Sequence, residues 1–249
     1  MKKAPSRKPA VKPATSVAVV RARLRALADA KTLTGMSRYA IPSDDMFGVP
    51  VGKIRAYAKE LGRQHALALA LWKSGQYECR MLACFLADPA LITPAEMDAW
   101  AKTFDNWAVC DTACFHLFDR TPHAFAKIRK WSRRRDEFVK RAAFALLASI
   151  ALHDKKSPDE LFIVSLPLIE RAASDERNFV KKGVSWALRG IGRRRSPELR
   201  THARALATRL AASEDASARW IGRDVLRDLK EPSVHARSEA SARTRKSSR

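Results

Sequence analysis

Between residues 104 and 118 the sequence places Asp111 among several aromatic side chains. Trp107 and Asp111 are four residues apart, so a helix would place both on one face. The same face would also collect Phe104, Cys114, Phe115 and Phe118. A carboxylate in aromatic surroundings is costly to ionise unless a cation or a hydrogen-bond donor faces it. Asp111 is therefore either a catalytic carboxylate or a structural residue that bridges to an arginine of the next repeat.

A second group of candidate residues lies on the helix predicted from about Phe179 to Arg193. At about 100° per residue its apolar positions form one core-facing stripe, made of Val180, Gly183, Val184, Ala187, Leu188 and Ile191. Trp186 lies more than about 90° from the centre of that stripe, accompanied by Lys182, Arg189 and Arg193. An aromatic ring among cations suits contact with phosphates and sugars of a nucleic acid. The alternative is that Trp186 packs under a neighbouring repeat while the cations extend around it.

Arg141 is the third candidate. The apolar stripe of its helix centres near Val139, Ala143 and Ile150, and Arg141 falls on the opposite side. The pattern alone predicts an exposed arginine, which is either an ordinary surface residue or a contact to a ligand.

Other common catalytic patterns do not occur in the sequence. The histidines form no H-E-x-x-H pair, and there is neither a G-x-x-x-x-G-K-[ST] loop nor a G-x-S-x-G elbow. Metal-dependent hydrolysis, nucleotide hydrolysis and serine acyl transfer are therefore poorly supported, and a carboxylate that acts without a cofactor or a metal is what remains.

The cysteines fit neither a zinc site nor a disulfide framework. Cys79, Cys84, Cys110 and Cys114 lack the C-x-x-C spacing of zinc ligands. Cys110 and Cys114 could face a metal, because they are four residues apart. We expect buried, reduced thiols instead.

The elements that must position these residues are helices. Apolar residues recur at helical spacing, and no alternating strand pattern appears between residues 16 and 230. Pro94, Pro122, Pro158 and Pro197 each follow Ser or Thr and are predicted to open successive helices, at separations of 28, 36 and 39 residues. These separations are near those of HEAT-like repeats. The sequence therefore predicts an all-α, HEAT-like helical-repeat solenoid of about six helical pairs over 16–230.

The charge indicates a polyanionic partner. The chain of 249 residues carries a net charge of +22, to which the segments 1–15 and 231–249 contribute +5 and +3. We expect both segments to be disordered basic tails. The remaining +14 lies on the predicted domain, so a concave face of the solenoid is expected to be basic and to bind nucleic acid.

No membrane segment or secretion signal is recognisable. The sequence contains no run of about 18 apolar residues, and the first apolar stretch, Val17 to Val20, is quickly followed by arginines. We expect a cytoplasmic, nucleoid-associated protein with no membrane partner.

Several stretches match one known family in order and approximate spacing. They are Met36-Ser-Arg-Tyr39, Met46-Phe-Gly-Val49, Trp107-Ala-Val-Cys-Asp111, Val139-Lys-Arg-Ala142 and Phe179-Val-Lys-Lys-Gly-Val-Ser-Trp186-Ala-Leu-Arg189. Through them the sequence resembles the AlkD-type DNA alkylation repair glycosylases, which are HEAT-like repeat proteins. The sequence departs from active members in two places: Asn106 replaces a frequent second aromatic residue, and Cys110 occupies a site that is usually not cysteine.

The resemblance implies an activity and a role for each matching residue. The activity is excision of positively charged N3- and N7-alkylated purines from duplex DNA without base flipping. Asp111 would be the catalytic carboxylate, Trp107 and Trp186 would contact the deoxyribose of the lesion, and Arg141 would lie beside the phosphates. The resemblance implies no cofactor, and we expect a monomer.

The sequence is also compatible with two other functions. One is a non-catalytic HEAT-like protein that binds particular DNA structures. The other is a helical-repeat adaptor for an acidic protein, which would have little affinity for duplex DNA at about 150 mM salt.

Overall fold

A computed structural model describes residues 15–39, 41 and 45–230, and within these residues all regular structure is helical. The two predicted tails lie outside the described residues, apart from Thr15. In chain order the helices are α1 (Val17–Ala26), α2 (Ala30–Met36), α3 (Val51–Leu61), α4 (His65–Lys73), α5 (Tyr77–Leu86), α6 (Pro94–Lys102), α7 (Trp107–His116), α8 (Ala124–Trp131), α9 (Glu137–His153), α10 (Glu160–Ile163), α11 (Leu166–Ala172), α12 (Asn178–Gly192), α13 (Pro197–Ala211) and α14 (Ala216–Lys230). Two short 3₁₀ helices, Ser37–Tyr39 and Phe118–Arg120, follow α2 and α7.

The helices stack in two layers. One layer is the row α3, α5, α7, α9, α12 and α14, in which each helix packs against the next. We call this row the inner layer, and its side away from the other helices the inner face. Helices α4, α6, α8, α11 and α13 pack behind it and form the outer layer. The predicted all-α helical-repeat architecture is confirmed, with six helices in the inner row.

Local signals explain where several helices begin. Thr93 and Glu96 form a capping box at the start of α6, where Pro94 is the first helical residue, and Pro197 opens α13 in the same way. The prediction is wrong by two residues for Pro122 and Pro158, because α8 and α10 begin at Ala124 and Glu160. Both prolines lie in the turn before the helix.

Helix α9 is the centre of the molecule. It contacts α7, α8 and α12, and twelve of its residues, from Val139 to Ala151, are buried. The prediction that Arg141 is exposed opposite an apolar stripe is therefore wrong, because neighbouring helices cover this side of α9 as well. A buried arginine requires a partner, and that partner lies on α7.

Two other predictions can be checked in the described residues. All four cysteines are buried and free, as expected, and burial raises the pKa of the Cys84 and Cys114 thiols. In the described part of the chain, no helix is long and apolar enough to cross a membrane.

The crossing of α13 and α14 provides a test of the repeat packing. A Cβ atom at Gly222 would lie 2.2 Å from the backbone nitrogen of Ala211 and 2.5 Å from the carbonyl oxygen of Ala207. We predict that Gly222→Ala lowers the free energy of unfolding by about 3 kcal/mol, because the two backbones must separate. Thermal and urea unfolding followed by circular dichroism measures the change.

Gly52→Ala is the matched control, since a Cβ atom at Gly52 on α3 would meet nothing within 4 Å. This variant should keep or raise stability, by at most about 1 kcal/mol. Wild-type stability in Gly222→Ala would contradict the close packing of α13 and α14.

Candidate active site

The candidate site is built on α7, and the residue that caps this helix fixes where it begins. Asn106 is buried and caps the helix, and its side-chain oxygen accepts a hydrogen bond from the backbone N–H of Val109 at 3.0 Å. The residue that departs from the family pattern is thus a helix cap in this chain. Trp107, Asp111 and Phe115 then follow at intervals of one turn, and all three are partly exposed. They form a line along α7 on the inner layer.

Asp111 is bound by Arg141 of α9 through both carboxylate oxygens. Arg141 Nε donates to Oδ1 at 2.9 Å, and Nη2 donates to Oδ2 at 2.7 Å. The side chain of Asp111 is 15% exposed and that of Arg141 is 8% exposed. This parallel, two-bond geometry is the strongest form of a carboxylate–guanidinium contact. The bridge to an arginine of a neighbouring repeat, which the sequence left as one of two interpretations, is present.

The protonation states follow from this pairing. Burial raises the pKa of the Asp111 carboxyl above its ordinary value, while the hydrogen bonds from Arg141 act in the opposite direction. Burial disfavours the charged form of Arg141, but the Asp111 carboxylate more than offsets this and raises the pKa of the guanidinium. The guanidinium remains protonated, and its two hydrogen bonds favour the ionised form of the Asp111 carboxyl against the effect of burial.

Arg141 also ties the pair to α12. Its Nη1 atom donates to the carbonyl oxygen of Phe179 at 2.8 Å, and its guanidinium lies 5.9 Å from the centre of the Phe179 ring. One arginine therefore links α7, α9 and α12 at the level of Asp111. A contact between Arg141 and a DNA phosphate stays a prediction.

Trp107 is held from the N-terminal side of the molecule. Its indole Nε1–H donates to the carbonyl oxygen of Tyr39 at 2.7 Å. Tyr39 ends one of the stretches that carry the family resemblance, and its backbone therefore borders the site. The interaction fixes the orientation of the indole ring at the start of α7.

Glu78, a buried glutamate, binds the backbone of residues 47–49, which belong to the second stretch of the family resemblance. Glu78 Oε1 accepts hydrogen bonds from the backbone N–H groups of Phe47, Gly48 and Val49, at 3.0, 2.8 and 3.2 Å. Gly48 has a positive φ of 79°, and a Cβ atom there would lie 2.8 Å from Leu33 Cβ. Glycine is required at this position by both conformation and space. Glu78 thus secures residues 47–49, which lie just before α3.

Trp186 lies on the inner face but is not free of contacts. Its ring stacks on Phe115, with centroids 4.8 Å apart and planes within 12°. The contact reaches from α12 across α9 to α7. Trp186 is partly exposed, so it both packs against another repeat and presents its indole to the inner face. The predicted core stripe of α12 is buried throughout, as expected.

The cations predicted beside Trp186 separate into two kinds. Lys182 is exposed. Arg193 Nε, in contrast, pairs with Asp228 Oδ2 of α14 at 2.6 Å. Arg189 lies 3.6 Å from Asp224 and 3.7 Å from Asp228. Arg189 and Arg193 therefore face carboxylates of α14, and a contact of either arginine with DNA stays a prediction.

The sequence reasoning missed an exposed tryptophan on α14. Trp220 is 39% exposed, and Lys181 Nζ of α12 lies 5.2 Å from the centre of its ring. Arg223, three residues later, is exposed as well. The stripe argument used for Trp186 could have found these residues, since Ala218, Ile221 and Val225 form the buried side of α14. In the part of the chain that is described, no cluster of three or more potential metal ligands occurs.

Comparison with known proteins agrees with this architecture. A search of curated proteins finds no match. One solved structure, described as "a new family of proteins related to the HEAT-like repeat DNA glycosylases with affinity for branched DNA structures", has a TM-score of 0.72 and 18% sequence identity, and the match covers 86% of this chain and 95% of that chain. At this identity the match shows the HEAT-like repeat fold. The family model described as "DNA alkylation repair enzyme" matches residues 20–233, and the chain therefore belongs to the DNA alkylation repair enzyme family.

Proposed function

We propose that the protein is a DNA glycosylase that hydrolyses the N-glycosidic bond of positively charged N3- and N7-alkylated purines in duplex DNA, without a cofactor. The observation that carries this proposal is the Asp111–Arg141 pair on the inner layer, with Trp107 one turn before the carboxylate and Phe115 one turn after it. Membership in the DNA alkylation repair enzyme family supports the substrate class.

The chemistry of the substrate explains why one carboxylate could suffice. An N7-alkylated guanine or N3-alkylated adenine already carries a positive charge, so the base leaves without help from a general acid. The barrier lies in the positive, oxocarbenium-like character that develops on the sugar. A fixed negative charge beside that sugar lowers the barrier, because it interacts more strongly with the transition state than with the ground state.

The geometry of Asp111 suits this role. Each carboxylate oxygen accepts one hydrogen bond from Arg141 and has acceptor capacity left for a water or for the sugar. The side chain is partly exposed, and so are its neighbours Trp107, Thr112 and Phe115. Arg141 holds the carboxylate in one orientation. The rings of Trp107 and Trp186 would offer the negative charge of their faces to the same sugar.

The partial exposure of the carboxylate also supports a mechanism without base flipping. Asp111 would be reached from the inner face by the backbone of a strand that lies along it. A base that stays in the stack would need no enclosed pocket, and bulky adducts would then be tolerated.

A second candidate function is binding of branched DNA without base release. Two observations favour it. Both Asp111 oxygens are engaged by Arg141, and the matched solved structure is of a protein described as having affinity for branched DNA structures. In that function the ion pair would serve only to join α7 to α9.

The two functions are separated by measuring free base released from duplex DNA that contains N7-methylguanine. We predict that Asp111→Asn reduces the single-turnover rate of release at least about 100-fold, because the charge that stabilises the sugar cation is removed. Mass spectrometry of the free base gives the rate. No release by the wild-type protein, with tight binding retained, would favour the branched-DNA function.

Asp224→Asn is the matched control for this substitution. Asp224 is another carboxylate of the inner layer that is paired with arginines, on α14. Its replacement should leave the rate of base release within about twofold of wild type. Melting temperatures of both variants distinguish loss of chemistry from loss of folded protein.

The role of Trp186 can be tested separately. We predict that Trp186→Ala lowers the single-turnover rate about tenfold, since one aromatic face near the sugar is lost. Trp220→Ala removes an exposed tryptophan from α14 and should leave that rate unchanged. Equal rates for the wild type and Trp186→Ala would remove Trp186 from the proposed site.

The salt dependence of DNA binding tests which cations meet phosphates. We predict that Lys182→Ala reduces the slope of log affinity against log salt by about one, because the exposed ammonium neutralises one phosphate. Arg193→Ala should leave the slope unchanged, because Arg193 pairs with Asp228. Fluorescence anisotropy between about 50 and 200 mM salt measures both. Negligible duplex binding at about 150 mM salt would instead favour an adaptor for an acidic protein.

A further inference from the structure

A second group of polar side chains lies at the C-terminal end of α9. Asp119, in the 3₁₀ helix after α7, accepts hydrogen bonds at its Oδ2 atom from Ser149 Oγ at 2.7 Å and from His153 Nδ1 at 2.6 Å. Ser149 and His153 are one turn apart on α9. The proposed function does not use any of these three residues.

The carboxylate of this group is deeply buried. The Asp119 side chain is 1% exposed, and its Oδ1 atom has no hydrogen-bond partner among the described residues. Arg120 Nε is 3.9 Å from Oδ1. A buried carboxylate requires a cation against it. Arg120 Nε and His153 Nδ1 therefore face the two oxygens of this carboxylate, one on each.

The contact with Asp119 fixes how His153 faces the surroundings. Because the proton on Nδ1 points at the carboxylate, the Nε2 atom is on the outward side of the ring. The side chain is 42% exposed. An imidazolium held in this way presents one N–H donor to the exterior, with its orientation set by a buried partner.

His153 is next to the site of Asp111. Its ring meets the Phe115 ring edge to face, with centroids 5.4 Å apart. Phe115 is one turn after Asp111 and stacks on Trp186. The histidine therefore stands at the border of the aromatic surface against which the sugar of the lesion is proposed to lie.

Two arginines act on His116, which lies at the end of α7. Burial, together with the positive charges of Arg55 and Arg120, lowers the pKa of His116. His116 lies at the end of α7 and packs against the Phe85 ring at 4.8 Å. Asp119 is already engaged by His153 and Ser149. Arg55 and Arg120 thus place positive charge at the end of α7, next to the group formed by Asp119, Ser149 and His153.

We propose that His153, positioned by Asp119 and Ser149, binds a backbone phosphate of the DNA strand that lies along the inner face beside Asp111. This inference rests on DNA being the ligand of the inner face, as in the proposed function, but it does not require base release. The phosphate contact would set the position of the strand relative to Asp111.

The test compares two substitutions of the same residue. His153→Gln keeps a similar size but carries no charge, and should weaken binding of an unmodified duplex about tenfold and reduce the salt slope by about one. His153→Lys restores a cation and should recover most of the affinity. Fluorescence anisotropy in one buffer, over a series of salt concentrations, measures both the affinity and the slope.

His202→Gln is the matched control. His202 lies on α13 of the outer layer, is 46% exposed and also faces a carboxylate, with Nε2 3.8 Å from Glu198. Its replacement should leave affinity and salt slope unchanged. Equal losses in His153→Gln and His202→Gln would overturn the proposal, as would wild-type affinity in His153→Gln.

The positioning role of the buried residues has its own readout. Ser149→Ala removes one of the two hydrogen bonds to Asp119 Oδ2, and should weaken duplex binding only while His153 is present. The double variant with His153→Gln should bind no more weakly than His153→Gln alone. Additive losses would contradict positioning through the histidine.

These outcomes are separate from those of the glycosylase. If the wild type releases no base but His153→Gln weakens binding, the result supports the phosphate contact and contradicts the glycosylase activity. If base is released in an Asp111-dependent manner while His153→Gln binds like wild type, the glycosylase stands and the phosphate contact fails.

Discussion

The ion pair between Asp111 and Arg141 is the interaction on which the site depends. Arg141 is buried on α9 and cannot remain there without a counter-charge, and the largely buried Asp111 cannot remain ionised without a cation. Each charge offsets the cost of burying the other. The bond from Arg141 to the Phe179 carbonyl extends the link to α12, so three inner helices are fixed at the level of the carboxylate.

The same pair would serve the proposed catalytic role as well as its structural one. The carboxylate is held in place before any substrate arrives, and this preorganisation is what makes a fixed charge effective in a transition state. Residues before α3 also help to fix the site. Tyr39 orients Trp107, and Glu78 binds the backbone of Gly48. Contacts from Tyr39 on one side of α7 and from α9 and α12 on the other therefore hold Trp107 and Asp111.

The sequence predicted the architecture where patterns are local. Helical periodicity and the buried stripe of α12 could be read directly, because they depend on residues within one helix. Arg141 was placed wrongly, since stripe analysis assumes one solvent-facing side and α9 is covered on the side of Arg141 too. The pairing of Arg193 with Asp228 and of His153 with Asp119 depends on residues more than 30 positions apart. Only the stacking of repeats brings these pairs together.

Stabilisation of positive charge on the sugar by Asp111 is tested most directly by the binding of charged and neutral abasic analogues. Duplexes would contain either a protonated pyrrolidine or a neutral tetrahydrofuran in place of the damaged nucleotide. The account predicts that the wild-type protein binds the cationic analogue at least about tenfold more tightly, and that Asp111→Asn loses this preference. Equal affinity of the wild type for both analogues would contradict it.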